Sequence, residues 1–371
     1  MFNFGEIHEK RQILLKAGKV FIQKAEPAAL SDEVLHPYVG FVRNPSADDK
    51  ENMLSRSGPF PARGKEEILI AVTGGSVARQ FCSEGAPVLQ AKFPQKTRLF
   101  CLADNGYKQP QQLMLVTYLL SAGAQFDVLI NLDGFNEIVL PVIENLPKKV
   151  HPSYPRKWFF RTGALYDEQS LADMGGLVWL RRTRTRLVEF FEKPPVRWSA
   201  AASVLWECLD RWFEKQEYLV YAVLYARPTG MAWFEQTGPP YQADSNEKLY
   251  GDLSELWFQS SLQLHYLCEA NGIRYFHFLQ PNQYVPGSKL FSAEERTQFI
   301  SDESPYRVPA EAGYPYLIRA GRRLRERGVR FRDLSMLFEK ETQTVYKDSC
   351  CHLNSYGYAR LGEVIGEDLA A

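Results

Sequence analysis

The sequence predicts an α/β protein in which helices cover both faces of a five-stranded parallel sheet, forming a three-layer α/β/α sandwich. Two observations lead to this prediction. Short apolar runs rich in β-branched residues, which are typical of strands buried on both faces, recur near residues 67–73, 98–103, 127–132, 273–279 and 328–333. Segments with helical spacing separate these runs, and such alternation favours parallel strands joined by right-handed crossovers.

The first of these strands ends in two glycines and a serine. The apolar run stops at Gly74, and Ser76 precedes sequence that is compatible with a helix. In open α/β sheets ligands bind beyond the carboxyl ends of the strands, where a helix N-terminus also offers N–H groups. Ser76 is therefore a candidate nucleophile, although capping of the helix is an alternative role that serine often takes.

Further polar residues and a glycine follow other strands or precede the last helix. Gly106 follows the second strand, Asn136 follows the third, and Asp348 and His352 lie shortly before the closing helix. Acyl transfer needs a nucleophile, a base that takes its proton, a partner for the imidazole and donors for the oxyanion. These residues, together with Ser76, supply that set.

The motifs resemble those of the SGNH hydrolases, also called the GDSL lipase/esterase family. The family's first block, Gly-Asp-Ser, looks like Gly74-Gly75-Ser76, with a glycine in place of the aspartate. The glycine of the second block matches Gly106, and the third block, Gly-x-Asn-Asp, looks like Gly134-Phe135-Asn136-Glu137. The resemblance implies that Ser76 is the nucleophile. It also implies an oxyanion hole made of the N–H groups of Ser76 and Gly106 and the side-chain amide of Asn136.

The family's fifth block, Asp-x-x-His, matches at His352. The aspartate is shifted, because Ser349 lies three residues before His352 and Asp348 lies four before it. The resemblance implies that His352 is the base, and we expect Asp348 to orient it, with a backbone carbonyl as the alternative. The resemblance covers roughly residues 65–150 and 270–371 and implies a flavodoxin-like sheet of the SGNH type.

The expected function is that of a serine esterase that deacylates an ester through an acyl-serine intermediate. The expected substrate is a small-molecule or carbohydrate ester, such as an acetylated carbohydrate, and neither a cofactor nor a metal is expected. Two other classes stay open. One is a catalytically silent binding protein of the same fold, and the other is an acyltransferase that passes the acyl group to a sugar hydroxyl.

Two polar residues follow the fourth strand and extend the candidate site. Gln280 and Asn282 are expected at the same sheet edge as Ser76. Substrate binding and hydrogen bonding within the loop are equally good interpretations of these two side chains.

The domain organisation is dominated by one long insertion. Residues 1–64 are expected to form an N-terminal helix and loop that pack on the core, and residues 65–371 are expected to form the hydrolase domain. About 140 residues between the third and fourth strands exceed an ordinary crossover, which predicts an insertion at about 138–272. Its basic cluster, residues 181–186, is interpreted as the solvated face of a helix, with binding of an anionic polymer as the alternative.

Composition excludes several classes of protein. The 44 basic and 44 acidic residues balance, which argues against nucleic-acid binding. No run reaches the roughly 18 apolar residues of a membrane-spanning helix, so no stable membrane insertion is expected. The N-terminus is too polar for a secretory signal. A soluble chain is expected, cytoplasmic unless a leader or anchor precedes it, and its oligomeric state is not predicted.

The six cysteines show no spacing typical of a metal site or a dense disulfide framework. Cys101 and Cys268 lie in apolar runs and are expected to be buried free thiols. Cys350 and Cys351 precede His352, but neighbours on an extended chain point to opposite sides, which disfavours a Cys–His nucleophile. The six histidines are scattered without a paired motif, so no zinc site is expected.

Overall fold

The computed structural model describes residues 10–11, 33–43, 64, 67–93, 95–163, 168–226 and 234–370. Its first strands, β1 (Glu33–His36) and β2 (Gly40–Arg43), form a two-stranded sheet. Most of the predicted N-terminal helix and loop of residues 1–64 lies outside the described residues.

A five-stranded sheet forms the centre of the fold. Its strands are β3 (Ile68–Gly74), β4 (Thr97–Cys101), β5 (Val128–Asp133), β6 (Arg274–Leu279) and β7 (Arg330–Asp333). They lie in the order β4-β3-β5-β6-β7, and every neighbouring pair is parallel. Each strand lies where an apolar run predicts one, and the central strand β5 is buried along its whole length. The predicted α/β fold with a five-stranded parallel sheet is confirmed.

Helices cover both faces of this sheet. The described helices are α1 (Ser76–Glu84), α2 (Ala86–Gln90), α3 (Gln111–Ser121), α4 (Phe135–Leu140), α5 (Trp158–Gly163), α6 (Glu168–Phe191), α7 (Ala200–Ala226), α8 (Phe234–Thr237), α9 (Asn246–Ala270), α10 (Ala293–Phe299), α11 (Arg307–Glu326) and α12 (Ser355–Ala370). Helices α1, α2 and α12 pack together, as do α3, α4, α9 and α11. Right-handed crossovers place the two groups on opposite faces, because the chain moves from β3 to β4 in one direction and from β4 towards β7 in the other. This is the predicted three-layer sandwich.

The described residues fall into two compact units. One contains the sheet and comprises Leu35–Trp158 and Thr237–Ala371, and the other comprises Met1–Val34 and Phe159–Gln236. Helix α9, which falls within the predicted insertion at about 138–272, lies in the unit of the sheet. The reason is that α9 is the crossover from β5 to β6, and its Ser261 Oγ lies 2.6 Å from His277 Nδ1 in β6.

The second unit contains the two long helices α6 and α7. Their buried contact includes Val188, Phe191 and Trp206. The basic cluster of α6 is not only a solvated face. Arg184 Nε donates to Asp210 Oδ1 of α7 at 2.5 Å, and this acceptor is 1% exposed, so the arginine links the two helices. No helix in the described part of the chain is both long enough and apolar enough to cross a membrane.

Candidate active site

The carboxyl ends of β3 and β5 lie where the direction of the crossovers reverses. The two strands are neighbours, but the chain leaves them towards opposite edges of the sheet. A crevice opens at such a switch point, and ligands of open α/β sheets bind there. Ser76 directly follows the β3 turn, Asn136 follows β5, and Gly106 follows the adjacent strand β4.

The turn that presents Ser76 has no room for side chains before it. Gly74 has a φ of +139°, and a Cβ there would lie 2.0 Å from the carbonyl oxygen of Leu132. A Cβ at Gly75 would lie 2.1 Å from Asn136 Nδ2. In this backbone a side chain at position 75 would therefore require the Asn136 amide to shift. Ser76 itself is the first residue of α1 and is partly exposed.

Ser76, His352 and Asp348 form a continuous chain of hydrogen bonds. Ser76 Oγ lies 2.8 Å from His352 Nε2. On the other side of the ring, His352 Nδ1 lies 2.5 Å from Asp348 Oδ2. A hydroxyl is thus within reach of a base, and the base is within reach of a carboxylate that can orient it. These three predicted catalytic residues come together although Ser76 and His352 are 276 positions apart in the chain.

The loop before α12 accommodates the extra residue between Asp348 and His352. Asp348 Oδ1 accepts hydrogen bonds from the backbone N–H groups of Cys350 at 2.9 Å, Cys351 at 3.2 Å and His352 at 3.3 Å. An antiparallel bridge closes the base of the loop. This tight turn leaves Oδ2, the other oxygen of Asp348, directed at the imidazole.

The environment of Asp348 favours its ionised form. Burial alone would raise its pKa, but the hydrogen bond and charge of His352 and the N–H groups of the loop lower the pKa of Asp348 to about 2. A carboxylate beside Nδ1 favours the tautomer that carries the proton on Nδ1. His352 Nε2 is then the acceptor that faces Ser76.

The predicted oxyanion donors follow two strands: Gly106 lies in the loop after β4, and Asn136 lies in the first turn of α4 after β5. Gly106 has a φ of +75°, a conformation that favours glycine. Asn136 is 8% exposed, and its Nδ2 donates to the carbonyl oxygen of Tyr107 at 2.8 Å. That bond fixes the amide beside the Ser76 turn, and Nδ2 carries a second hydrogen that can serve another acceptor.

Arg156 lies beside Gly106 and was not among the predicted site residues. A Cβ at Gly106 would lie 1.8 Å from Arg156 Cδ. The guanidinium pairs with Glu144, with Nη2 2.5 Å from Oε1 and Nε 3.2 Å from Oε2. The guanidinium, whose charge is balanced by the Glu144 carboxylate, thus lies next to a predicted oxyanion donor. No motif marks Arg156 in the sequence, because folding alone brings it to Gly106.

Residues after β6 support the loop of His352. Asn282 is fully buried and donates from Nδ2 to the carbonyl oxygen of Cys350 at 3.2 Å. Gln283 Nε2 donates to the carbonyl oxygen of Asp348 at 2.9 Å. Gln280 is 3% exposed. For Asn282 these contacts favour the loop-bonding interpretation over direct contact with substrate.

One expectation about cysteines is wrong. Cys101, expected to be a buried free thiol, forms a disulfide with Cys82, with an S–S distance of 2.14 Å. Helix α1 packs against β3 and β4, so Cys82 lies close to Cys101. The distance between their Cα atoms is 5.9 Å. Cys268 is a buried free thiol, and burial raises its pKa to about 12.

Cys350 and Cys351 also differ from the expected extended arrangement. The turn around Asp348 brings their Sγ atoms within 3.3 Å of each other. Within the described residues, ligand atoms of three His, Cys, Asp or Glu side chains gather within 4.8 Å at Cys350, Cys351 and His352. Sulfur and nitrogen suit soft divalent ions, but both ring nitrogens of His352 already contact Ser76 and Asp348. An ion bound there would compete with that chain of hydrogen bonds.

A second Ser-His-Asp set lies inside the unit of the sheet. Ser261 Oγ is 2.6 Å from His277 Nδ1, and His277 Nε2 is 2.8 Å from Asp133 Oδ1. None of the three is more than 1% exposed. Asp133 accepts hydrogen bonds from three further side chains: Gln109, Asn131 and Trp257. This network ties α9 to β5 and β6.

Comparison with known proteins gives a distant structural likeness. No protein-family model matches the sequence, and no curated protein matches it. Among solved structures, a protein of Bacteroides fragilis NCTC 9343 described as a "putative acylhydrolase" is similar, with 9% identity and a TM-score of 0.40. The alignment covers 87% of this chain and 96% of that chain. A TM-score this low does not establish a shared fold, so the fold rests on the strands and helices described above.

Proposed function

We propose that this chain is a serine ester hydrolase of the SGNH type that acts on a small-molecule or carbohydrate ester. One observation carries the proposal: Ser76 Oγ, His352 and Asp348 are linked by hydrogen bonds of 2.8 and 2.5 Å at the carboxyl edge of a parallel sheet. A partly exposed serine beside a base, at the edge where such sheets bind ligands, supports nucleophilic catalysis.

In the first half of the proposed reaction, Ser76 Oγ attacks the ester carbonyl carbon. A bond forms between Oγ and that carbon, and the hydroxyl proton passes to His352 Nε2. The tetrahedral intermediate then collapses. Its bond to the alcohol oxygen breaks, the proton on Nε2 passes to the leaving alcohol, and an acyl-serine remains.

In the second half, water repeats the sequence on the acyl-serine. His352 Nε2 takes a proton from water as its oxygen attacks the acyl carbon. The bond to Ser76 Oγ breaks, Oγ recovers the proton, and the carboxylic acid leaves. Asp348 stays ionised throughout and stabilises the imidazolium that forms twice in each cycle.

The negative oxygen of each intermediate requires donors. The proposed donors are the N–H groups of Ser76 and Gly106 and Nδ2 of Asn136, whose orientation is fixed by its bond to Tyr107. The Arg156 guanidinium also lies beside Gly106, and its charge is balanced by the paired carboxylate of Glu144. Loss of one oxyanion donor typically lowers kcat by about 10²–10³-fold.

A serine-directed phosphonate probe tests the proposal. The reduced full chain is treated with the probe, digested and mapped by mass spectrometry, and the modified residue is expected to be Ser76. The Ser76→Ala variant should not be labelled. Ser261→Ala is the matched control, because that serine has an equally short hydrogen bond to a histidine but no access to solvent. Its labelling at Ser76 should persist.

A substrate screen follows on the same samples. Acetylated sugars, short nitrophenyl esters and lysolipids are offered to the parent chain and to Ser76→Ala. The proposal expects release of acid from at least one class by the parent only. A folded protein that is neither labelled at Ser76 nor active on any class would be a silent protein of this fold. Transfer of the acyl group to a sugar hydroxyl instead of water would identify a transferase.

A further inference from the structure

The turn that carries His352 contains two adjacent free cysteines. Cys350 is partly exposed, whereas Cys351 is 1% exposed. Their Sγ atoms lie 3.3 Å apart, so the two thiols are already in contact. The side chain of Cys351 also interacts with that of Ser76. The proposed catalysis uses neither thiol.

The backbone of the same two residues holds the proposed triad in place. The N–H groups of Cys350 and Cys351 donate to Asp348 Oδ1, the carboxylate whose other oxygen contacts His352. The peptide group that joins the two cysteines includes the N–H of Cys351 and the carbonyl of Cys350. That carbonyl accepts a hydrogen bond from Asn282. Any rotation of this peptide group therefore disturbs two anchors of the loop.

We propose that Cys350 and Cys351 are a thiol modification site, at which a low-molecular-weight disulfide converts the pair into a vicinal disulfide and reversibly disables the triad. The loss of activity rests on the proposed function, whereas formation of the disulfide does not. Thiol–disulfide exchange of this kind proceeds through a mixed disulfide.

The exchange balances in two steps. The partly exposed Cys350, as thiolate, attacks one sulfur of the small disulfide, forms a bond to it and expels a thiolate that takes up a proton. Cys351 then loses its proton and attacks the sulfur of Cys350, which releases the second small thiol. Two protein thiols are oxidised to one disulfide, and the small disulfide is reduced to two thiols.

A disulfide between Cys350 and Cys351 closes a small ring with the peptide that joins them, and its formation must move the turn. The sulfurs have to approach from 3.3 Å to about 2.05 Å, the length of a disulfide bond. Adjacent Cα atoms lie about 3.8 Å apart across a trans peptide, which is shorter than the roughly 4.4 Å at the lower end of ordinary disulfides. Because a trans peptide fixes that distance, the ring that the disulfide closes with this peptide is strained, and we expect the peptide to twist and to weaken the bonds from Cys351 N–H to Asp348 and from Asn282 to Cys350.

The test exposes the full chain to oxidised glutathione, after peptide mapping has shown free thiols at Cys350 and Cys351 and an intact Cys82–Cys101 disulfide, and follows two readouts. The first is peptide mapping, which should find a fragment lighter by two hydrogens that contains both Cys350 and Cys351. The second is ester hydrolysis, which should fall towards the roughly 10⁴-fold loss typical of a disabled triad carboxylate. Dithiothreitol should restore both.

Two variants sharpen the test. Cys350→Ser keeps every backbone bond of the turn, so it should hydrolyse ester like the parent chain, form no cross-link to Cys351 and keep its activity in oxidised glutathione. Cys208→Ser removes an exposed thiol elsewhere and should respond like the parent. A chain fully cross-linked between Cys350 and Cys351 that keeps its activity would overturn the inactivation. Failure to form the cross-link, or an activity loss that a chelator reverses, would overturn the modification site.

The outcomes separate this inference from the proposed function. If the reduced chain is not labelled by the phosphonate at Ser76, the proposed function fails, and mapping of the cross-link still decides whether the modification site exists. If labelling succeeds and the cross-link does not form, only the modification site fails.

Discussion

Two Ser-His-Asp sets in one unit of the molecule invite comparison. In Ser76–His352–Asp348 the side chains of the histidine and the aspartate are 20% and 39% exposed, and the serine begins a helix at the edge of the sheet. In Ser261–His277–Asp133 no member is more than 1% exposed. The hydrogen-bond distances are similar in both sets.

The two sets differ in what surrounds them. Asp133 accepts hydrogen bonds from three side chains besides its contact with His277, so its carboxylate is shared among several partners in the core. The ring of His277 is also reversed, with Nδ1 towards serine and Nε2 towards aspartate. The comparison teaches that these three residue types within hydrogen-bond distance do not define an active site. Access for substrate and donors for an oxyanion must be present as well.

Substituting each of the two serines by alanine should give the largest difference in activity between the two sets. Ser76→Ala should lower kcat/KM for a nitrophenyl ester by on the order of 10⁴-fold or more, with an unchanged melting temperature, because the hydroxyl lies at a loop end. Ser261→Ala should keep its activity and lose about 1–3 kcal/mol of unfolding free energy, because His277 Nδ1 loses its partner. More than about a tenth of the activity remaining in Ser76→Ala would exclude it as nucleophile.

Substituting each of the two aspartates by asparagine should give the second-largest difference in activity. Asp348→Asn should lower kcat by up to about 10⁴-fold, because an amide no longer favours the required tautomer of His352. Asp133→Asn should mainly destabilise the fold, since an amide nitrogen would face donors in the core, at about 1–3 kcal/mol. Hydrolysis rates and urea unfolding of both variants provide the measurement. A near-normal rate for Asp348→Asn would reduce the site to a Ser76–His352 dyad.

Substituting Asn136 and Asn131 by alanine should give the next-largest difference in kcat. Asn136→Ala should lower kcat by about 10²–10³-fold with a smaller effect on KM, because the amide acts on the oxyanion. Asn131→Ala, in the buried network, should leave kcat unchanged and lower the melting temperature, because Asp133 loses a donor. Steady-state kinetics separate the two. If Asn136→Ala raised KM alone, its role would be substrate binding.

Asn282 tests whether the loop that carries His352 must be held in place for the Ser76–His352–Asp348 set to act. Asn282→Ala removes the bond to the Cys350 carbonyl and should lower kcat by roughly 10–100-fold through misplacement of His352. KM should change little, because the side chain is fully buried. Steady-state kinetics on the best ester from the screen measure both parameters. The opposite pattern, a raised KM with normal kcat, would favour the contact with substrate.

The smallest effect concerns pH and stability. The pKa of Asp348 is lowered to about 2, below the ordinary value of 3.8 for an aspartate, so its ionised form favours the folded state. This stabilisation is present above the ordinary value and disappears as the pH falls through about 2. Asp348→Asn keeps an acceptor for the turn, so at neutral pH it should be slightly less stable than the parent. Urea unfolding should show that gap narrowing towards acid pH, and a constant gap would contradict the assignment.

Most of the residues around Ser76, His352 and Asp348 could be predicted from the sequence. Apolar runs predict all five strands, and Ser76, Gly106 and Asn136 could be recognised because each stands just after a strand. Strand ends of a parallel sheet share one edge, so position along the chain translates directly into position in space. His352 was recognisable from its motif, and the turn that shifts Asp348 into contact depends on local N–H groups.

Other parts of the site could not be predicted in this way. The contact of Arg156 with Gly106, the bond from Asn282 to the loop and the disulfide of Cys82 with Cys101 join residues that no short pattern connects. Helix α9 has the length of an insertion helix, and only its contacts with β6 show that it belongs to the sheet. Tertiary packing, rather than local preference, decides all four.

The absence of a side chain at Gly75 has a consequence for how such sites vary among proteins. In this backbone the space beside Gly75 is filled by the amide of Asn136, which lies in the first turn of α4, just after the neighbouring strand β5. A side chain at position 75 would require that amide to shift, so the two positions are coupled in this chain. A motif written along the chain records one half of that pair. The other half lies on α4, and a search for Gly-Asp-Ser alone would pass over a chain such as this one.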